Sequence, residues 1–180
     1  VRIARLRALD RHRGRNGAAR QRTRITVRAS LVIPRQLPDR PITARNAVLQ
    51  GDCTALMRRM ERESVDFILT DPPYITRYRG RDGRTVANDD NARWLKPAFR
   101  EMHRVLKPAS FCVSFYGWAK IDLFAAAWRA ACCRIFDHIV FRKSYASSAR
   151  FLRYEHEQAY LLAKGDVALP AQPIPDVIDF

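Results

Sequence analysis

Apolar positions along this chain recur in two periods, and the switches between them outline its elements. Ala47 to Gln50 predicts a short strand ending at Gly51-Asp52, and Thr54 to Met60 a brief helix with Leu56, Met57 and Met60 on one stripe. Val65-Asp66-Phe67-Ile68-Leu69-Thr70 is an apolar, β-branched run that predicts a buried parallel strand. Residues 92–106 place Leu95, Phe99, Met102 and Leu106 at helical spacing, with Asp89-Asp90 ahead of them as an N-cap and Lys107-Pro108 as a stop. Phe111 to Tyr116 predicts a buried strand, Ile121 to Ala131 an Ala-rich helix, and Ile135 to Phe141 and Gln158 to Ala163 two further strands. Ile75 to Asp90 is polar with two glycines and predicts a mobile loop, and the Pro-rich stretch beyond Gly165 predicts another. Strands alternating with helices predict an α/β fold with a doubly wound, mainly parallel sheet.

Charge divides the chain unevenly. Residues 1–45 hold thirteen arginines against Asp10 and Asp39, a net of +11 out of +15. Residues 46–180 carry the other +4. The Arg-rich stretch has two readings. One is a disordered nucleic-acid arm held to phosphates by counterion release. The other is a non-functional segment from a start misplaced upstream, since Val1 is no ordinary initiator. The length suits one domain, divided as the tail 1–45, a catalytic part 46–165 and a Pro-rich linker 166–180. No apolar stretch reaches membrane-spanning length, and no signal-peptide pattern appears. Cys53, Cys112, Cys132 and Cys133 lack metal-type spacing, and the three in apolar segments suit small core residues in a reducing cytoplasm.

The candidate chemistry sits at Asp71-Pro72-Pro73-Tyr74, directly after the strand predicted at 65–70. In open α/β sheets ligands bind at the carboxyl ends of strands. Two consecutive prolines fix φ and remove two N–H donors, so this backbone is stiff and offers carbonyls only. The Asp71 carboxylate and the Pro72 carbonyl make a two-acceptor fork for an amino group, and the Tyr74 ring offers a stacking face. Such a site suits a planar heterocycle bearing –NH2. An exocyclic amino nitrogen is a poor nucleophile because its lone pair is delocalised. Accepting both its hydrogens pulls it toward tetrahedral geometry and stabilises the positive charge that develops there.

With those residues the chain resembles the S-adenosylmethionine-dependent methyltransferases that modify adenine or cytosine amino groups in DNA, in their permuted β-class. The resemblance runs through Asn46–Asp52, Glu63–Tyr74, Glu101–Pro108, Phe115-Tyr116-Gly117-Trp118, His156-Glu157 and Tyr160–Gly165. It implies a Rossmann-like, circularly permuted fold, double-stranded DNA as partner, S-adenosylmethionine as cofactor and a homodimer for the complete enzyme. It also implies adenine rather than cytosine as target, in a restriction-modification setting. Asp71, Pro72, Pro73 and Tyr74 would be catalytic, with Tyr74 stacked on a flipped-out base. Flipping costs a few kcal/mol and stacking returns ~1–3 kcal/mol per base. Asp52 and Asp71 would bind the cofactor, although Asp52 equally suits a turn. Arg77, Tyr78, Arg79, Arg81 and Arg84 have the basic-plus-aromatic mixture of a DNA-facing flap, or of a solvated loop. His103 and Trp118 suit structural roles, and His156 and Glu157 follow the family pattern without an evident chemical task.

One family element is absent. The seven glycines (14, 17, 51, 80, 83, 117, 165) include no pair separated by one residue, so the F-x-G-x-G loop that wraps the cofactor's methionine end is missing. The expectation is an N-terminal portion of a longer enzyme or a truncated relic, with weak or no cofactor binding by residues 1–180 alone and exposed apolar sheet surface. Two rival readings remain open. One is an RNA-guanine or protein-glutamine methyltransferase. The other is a catalytically dead nucleic-acid-binding fragment.

Overall fold

A computed structural model describes residues 41–43, 46–80, 82–146 and 151–179. The Arg-rich segment 1–40 and Arg81 lie outside the described residues. Chain order is α1 (Cys53–Arg58), β1 (Val65–Thr70), α2 (Leu95–Val105), β2 (Leu106–Phe115), a 3-10 turn (Trp118–Lys120), α3 (Ile121–Ala130), β3 (Arg134–Arg142), β4 (His156–Lys164) and β5 (Val177–Asp179).

The strands form one sheet in the order β1-β2-β4-β3-β5. β1 pairs parallel with β2, β4 pairs antiparallel with both β2 and β3, and β5 pairs parallel with β3. Among the described residues four of the five strands therefore run one way, and β4 alone is reversed. The expected mainly parallel sheet is mixed in its pairings, because the reversed strand lies between two that share a direction. Parallel neighbours need a crossover, and α2 supplies it between β1 and β2.

Alternation along the strands separates two sheet faces. On one, Ile68, Cys112 and Leu162 are buried beneath the helices. All three helices join that core, through Met57 of α1, the α2 stripe Leu95, Ala98, Phe99, Met102 and Val105, and Phe124, Ala127 and Trp128 of α3. The opposite face carries an aromatic row. Phe111 meets Phe136 at 5.8 Å and Phe115 meets Phe141 at 5.2 Å, across the small residues Ala163 and Ala159 of β4. Leu69 and Phe136 of that face stay 40% and 37% exposed, in keeping with the expected apolar sheet surface. Among the described residues the helices share one core on one face, so the doubly wound arrangement is not seen there.

Four local expectations are corrected. Residues 47–50 form no strand, and Val48 is 90% exposed, because no neighbouring strand receives them. β2 begins at Leu106 and takes in Lys107-Pro108, so the proline starts a strand as well as ending a helix. The Pro-rich end returns to the sheet as β5, fastened by an Arg142–Asp179 ion pair at 2.6 Å. Asp89 and Asp90 do not cap α2, whose N-cap is Trp94 with no side-chain cap bond. Asp89 is used elsewhere.

Candidate active site

Strand direction assembles the site. β1, β2 and β3 finish at one end of the sheet, and β4, being reversed, starts there. The residues that follow β1 (Asp71 to Tyr74), β2 (Tyr116 and Gly117) and β3 (Lys143) thus meet the first residues of β4 (His156 and Glu157).

Asp71 leaves β1 with its side chain exposed, while Pro72 is buried and Pro73 and Tyr74 are half-buried. The turn lies hard against β2. A Cβ placed on Gly117 would stand 2.4 Å from the Tyr74 carbonyl oxygen and 2.9 Å from the Tyr74 Cβ. Gly117 has φ −78°, which any residue adopts, so glycine is required here for space and not for backbone freedom. Burial raises the Tyr74 pKa well above its ordinary value. The Asp71 carboxylate pushes the same way, and so does the Glu157 charge. Tyr74 is therefore a neutral phenol in any physiological buffer.

Beyond Tyr74 the chain takes a strained path. Ile75 and Arg77 have φ of 61° and 55°, in a region β-branched and long side chains rarely occupy. The carboxylate of Asp89, 3% exposed, holds them there. Its Oδ1 accepts from Ile75 N at 2.6 Å and Thr76 N at 3.2 Å, and its Oδ2 from Tyr78 N at 2.6 Å and the Thr76 hydroxyl at 3.1 Å. Burial alone would raise the Asp89 pKa. The donors from Tyr78, Thr76 and Ile75 outweigh it and hold the acid below the ordinary carboxylate value.

Arg77, Tyr78, Arg79 and Arg84 ride on this clamp and are exposed, with Arg84 paired to Asp82 at 3.1 Å. An isolated bridge between Arg79 and Thr85 folds the loop back on itself. A cleft of about 480 Å³ opens between the loop and the residues after Gly117, lined by Ile75, Thr76, Arg77, Asp90, Ala119 and Lys120.

The other singled-out residues fall elsewhere. Asp52 caps α1, its Oδ1 accepting from Ala55 N at 2.8 Å. His103 sits on α2, where burial and the nearby Lys164 and Arg62 charges lower its pKa. Trp118 is 58% exposed and stacks on Tyr154, ring centroids 6.1 Å apart. Cys112 is buried in the core, whereas Cys132 is exposed. Among the described residues no three or more His, Cys, Asp or Glu side chains gather as a metal site, and no helix is long and apolar enough to cross a membrane.

Sequence reasoning did not find the task of Asp89, the contact between Gly117 and Tyr74, or the pairing of Lys143 with Glu157. The only available signals were the Gly after a strand and the His-Glu pair. Neither says which segment it will touch.

Residues 65–176 match the protein family described as DNA methylase (N6_N4_Mtase). The chain is 52% identical over 130 residues to "Putative methylase YubD" of Escherichia coli (strain K12), covering 72% of this chain and 57% of that relative. It thus spans little more than half the length of the relative it matches. Among solved structures, PvuII DNA methyltransferase (cytosine-N4-specific) superposes with a TM-score of 0.53 at 13% identity, over 72% of this chain and 55% of that one. "Putative DNA Modification Methylase" TTHA0409 of Thermus thermophilus, complexed with S-adenosyl-L-methionine, superposes with a TM-score of 0.50 at 18% identity, over 72% and 64%. At these identities the superpositions speak for the fold, a methyltransferase fold with a mixed sheet.

Proposed function

Since the chain belongs to the DNA methylase family of adenine N6 and cytosine N4 enzymes, we propose that it carries the amino-acceptor half of a DNA adenine methyltransferase. The observation that carries this reading is the Asp71–Tyr74 turn, an exposed carboxylate at the end of β1 on a proline-stiffened backbone pressed against Gly117. Asp71 and the Pro72 carbonyl accept the two hydrogens of the target amino group. The nitrogen lone pair is thereby freed from the ring and faces the incoming methyl, and the carboxylate stabilises the positive charge that follows. Tyr74 stacks on the base once it has left the duplex. The exposed Arg77, Tyr78, Arg79 and Arg84, with Arg81, form the flap that meets the DNA backbone.

S-adenosylmethionine, when bound, supplies an electrophilic methyl on a sulfonium. The exposed Asp71 fits the reacting end of that group, and Asp52, at the N-terminus of α1, fits its adenosine end. The methionine end calls for a glycine loop that residues 1–180 do not contain. We read the arrangement as the permuted β-class order, in which the amino-acceptor half comes before such a loop.

The test is methyl transfer from labelled S-adenosylmethionine to double-stranded DNA by the full-length protein, followed by nucleoside chromatography. N6-methyladenine is the expected product. N4-methylcytosine would overturn the choice of base, and no incorporation into DNA would overturn the reading itself.

A further inference from the structure

Lys143 is the buried charge that the mechanism above leaves unused. It is 8% exposed, and its Nζ lies 2.7 Å from Glu157 Oε1 and 5.5 Å from the centre of the Tyr145 ring. Burying an ammonium is expensive even when it is paired, and an apolar side chain of similar volume is often the more stable choice. A charge kept in such a place points to a task.

Register shows where that task lies. The β2–β4 pairing ends at Phe115 and Ala159, which leaves Gly117 and Glu157 each two residues beyond it at the same end of the sheet, and Tyr74 is pressed against Gly117. Phe141 pairs with Glu157, and Lys143, two residues beyond it, donates its backbone N–H to the Glu155 carbonyl at 2.7 Å. Lys143 from the end of β3 thus meets Glu157 at the end of the sheet where the turn bearing Asp71 and Tyr74 leaves β1. The adjacent Glu155 is paired with Arg153 at 2.7 Å. The Glu157 charge adds to the upward push on the Tyr74 pKa.

We propose that the Lys143–Glu157 ion pair positions the amino-acceptor site, holding the second carboxylate back so that Asp71 alone receives the target amino group. The inference rests on the amino-methyltransferase reading above and extends it to a positioning residue. With Lys143 gone, Glu157 is an uncompensated carboxylate beside Tyr74. It competes for the phenol hydrogen and for the amino hydrogens, and its repulsion opposes a second negative charge in the site.

The experiment is the pH dependence of kcat for the full-length protein on double-stranded DNA, with cofactor affinity and thermal midpoint measured alongside. Lys143→Met is expected to lose about tenfold in kcat, the scale of a modest misplacement of reacting groups. Its cofactor affinity stays unchanged, and the acid limb of its profile rises by about half a unit to one unit. Lys143→Arg keeps the charge and stays near wild type. Adding Glu157→Gln to Lys143→Met returns the acid limb to its wild-type place. An unmoved limb in Lys143→Met, or a double variant shifted as far as the single one, would overturn the proposal. If Lys143→Met does not fold, Glu157→Gln alone decides. It removes the second carboxylate, so its acid limb stays or falls, and a rise would refute the proposal. A wild-type protein that transfers no methyl to DNA brings down the amino-methyltransferase reading and this inference together. An active wild type with an unshifted Lys143→Met brings down this inference alone.

Discussion

Asp71 and Asp89 lie within one continuous stretch of loop, and the fold uses them in opposite ways. Asp71 is exposed at the end of β1, on a backbone whose two prolines supply no N–H to satisfy it. Asp89 is 3% exposed and accepts from three backbone N–H groups and a hydroxyl. A carboxylate so fully bonded is a structural clamp with little left to offer a ligand. One left facing solvent is available for chemistry. Proximity in sequence says nothing about which acid plays which part. The supply of donors around each one does.

The comparison breaks most sharply at Asp71. Asp71→Ala is expected to lower methyl-transfer turnover by at least ~10²-fold, the usual scale for one transition-state acceptor or donor. The thermal midpoint should stay close to wild type, as for most exposed substitutions. Steady-state kinetics and a melting curve on the full-length protein check both halves. Near-normal turnover would remove Asp71 from the mechanism.

Asp89→Ala should show the reverse pattern. Removing a buried charged acceptor leaves several N–H groups unpaired and costs about 1.5–3 kcal/mol. The strain at Ile75 and Arg77, about 1–3 kcal/mol each, is then no longer held. The expected readout is faster proteolytic cleavage within 75–90 and a lower unfolding midpoint. Unchanged cleavage would mean that the loop is fixed by something other than Asp89.

A smaller effect sharpens the contrast through pH. The donors around Asp89 hold its folded pKa below that of the unfolded chain, which is about 3.9. Its contribution to stability is therefore complete above about pH 4 and is lost as pH falls through the folded value. The gap in melting temperature between wild type and Asp89→Asn should be constant from neutral pH to about pH 5, then narrow on further acidification. A gap that widens in acid would mean that the sign of the shift is wrong.

Much of the architecture was legible because periodicity is a local property. β1, α2, α3, β3 and β4 follow from where Val65–Thr70, Leu95–Val105, Ile121–Ala130, Arg134–Arg142 and His156–Lys164 place their apolar residues. The Asp-Pro-Pro-Tyr turn was legible for a related reason. Its stiffness and its acceptors are covalent facts of four adjacent residues.

Tertiary structure decided the rest. An alternating strand looks the same in either direction, so only the assembled sheet shows that β4 is reversed and lies between β2 and β3. That reversal brings Glu157 to the end of the sheet where Asp71, Gly117 and Lys143 gather. Val177–Asp179 became a strand because the edge of β3 received it, while the more apolar 47–50 pair with no strand although β1 leaves an edge open among the described residues. A side chain's chemistry is written in its own codon. Its partners, and hence its charge state and availability, are fixed by residues that lie far away along the chain and become neighbours only in the folded molecule.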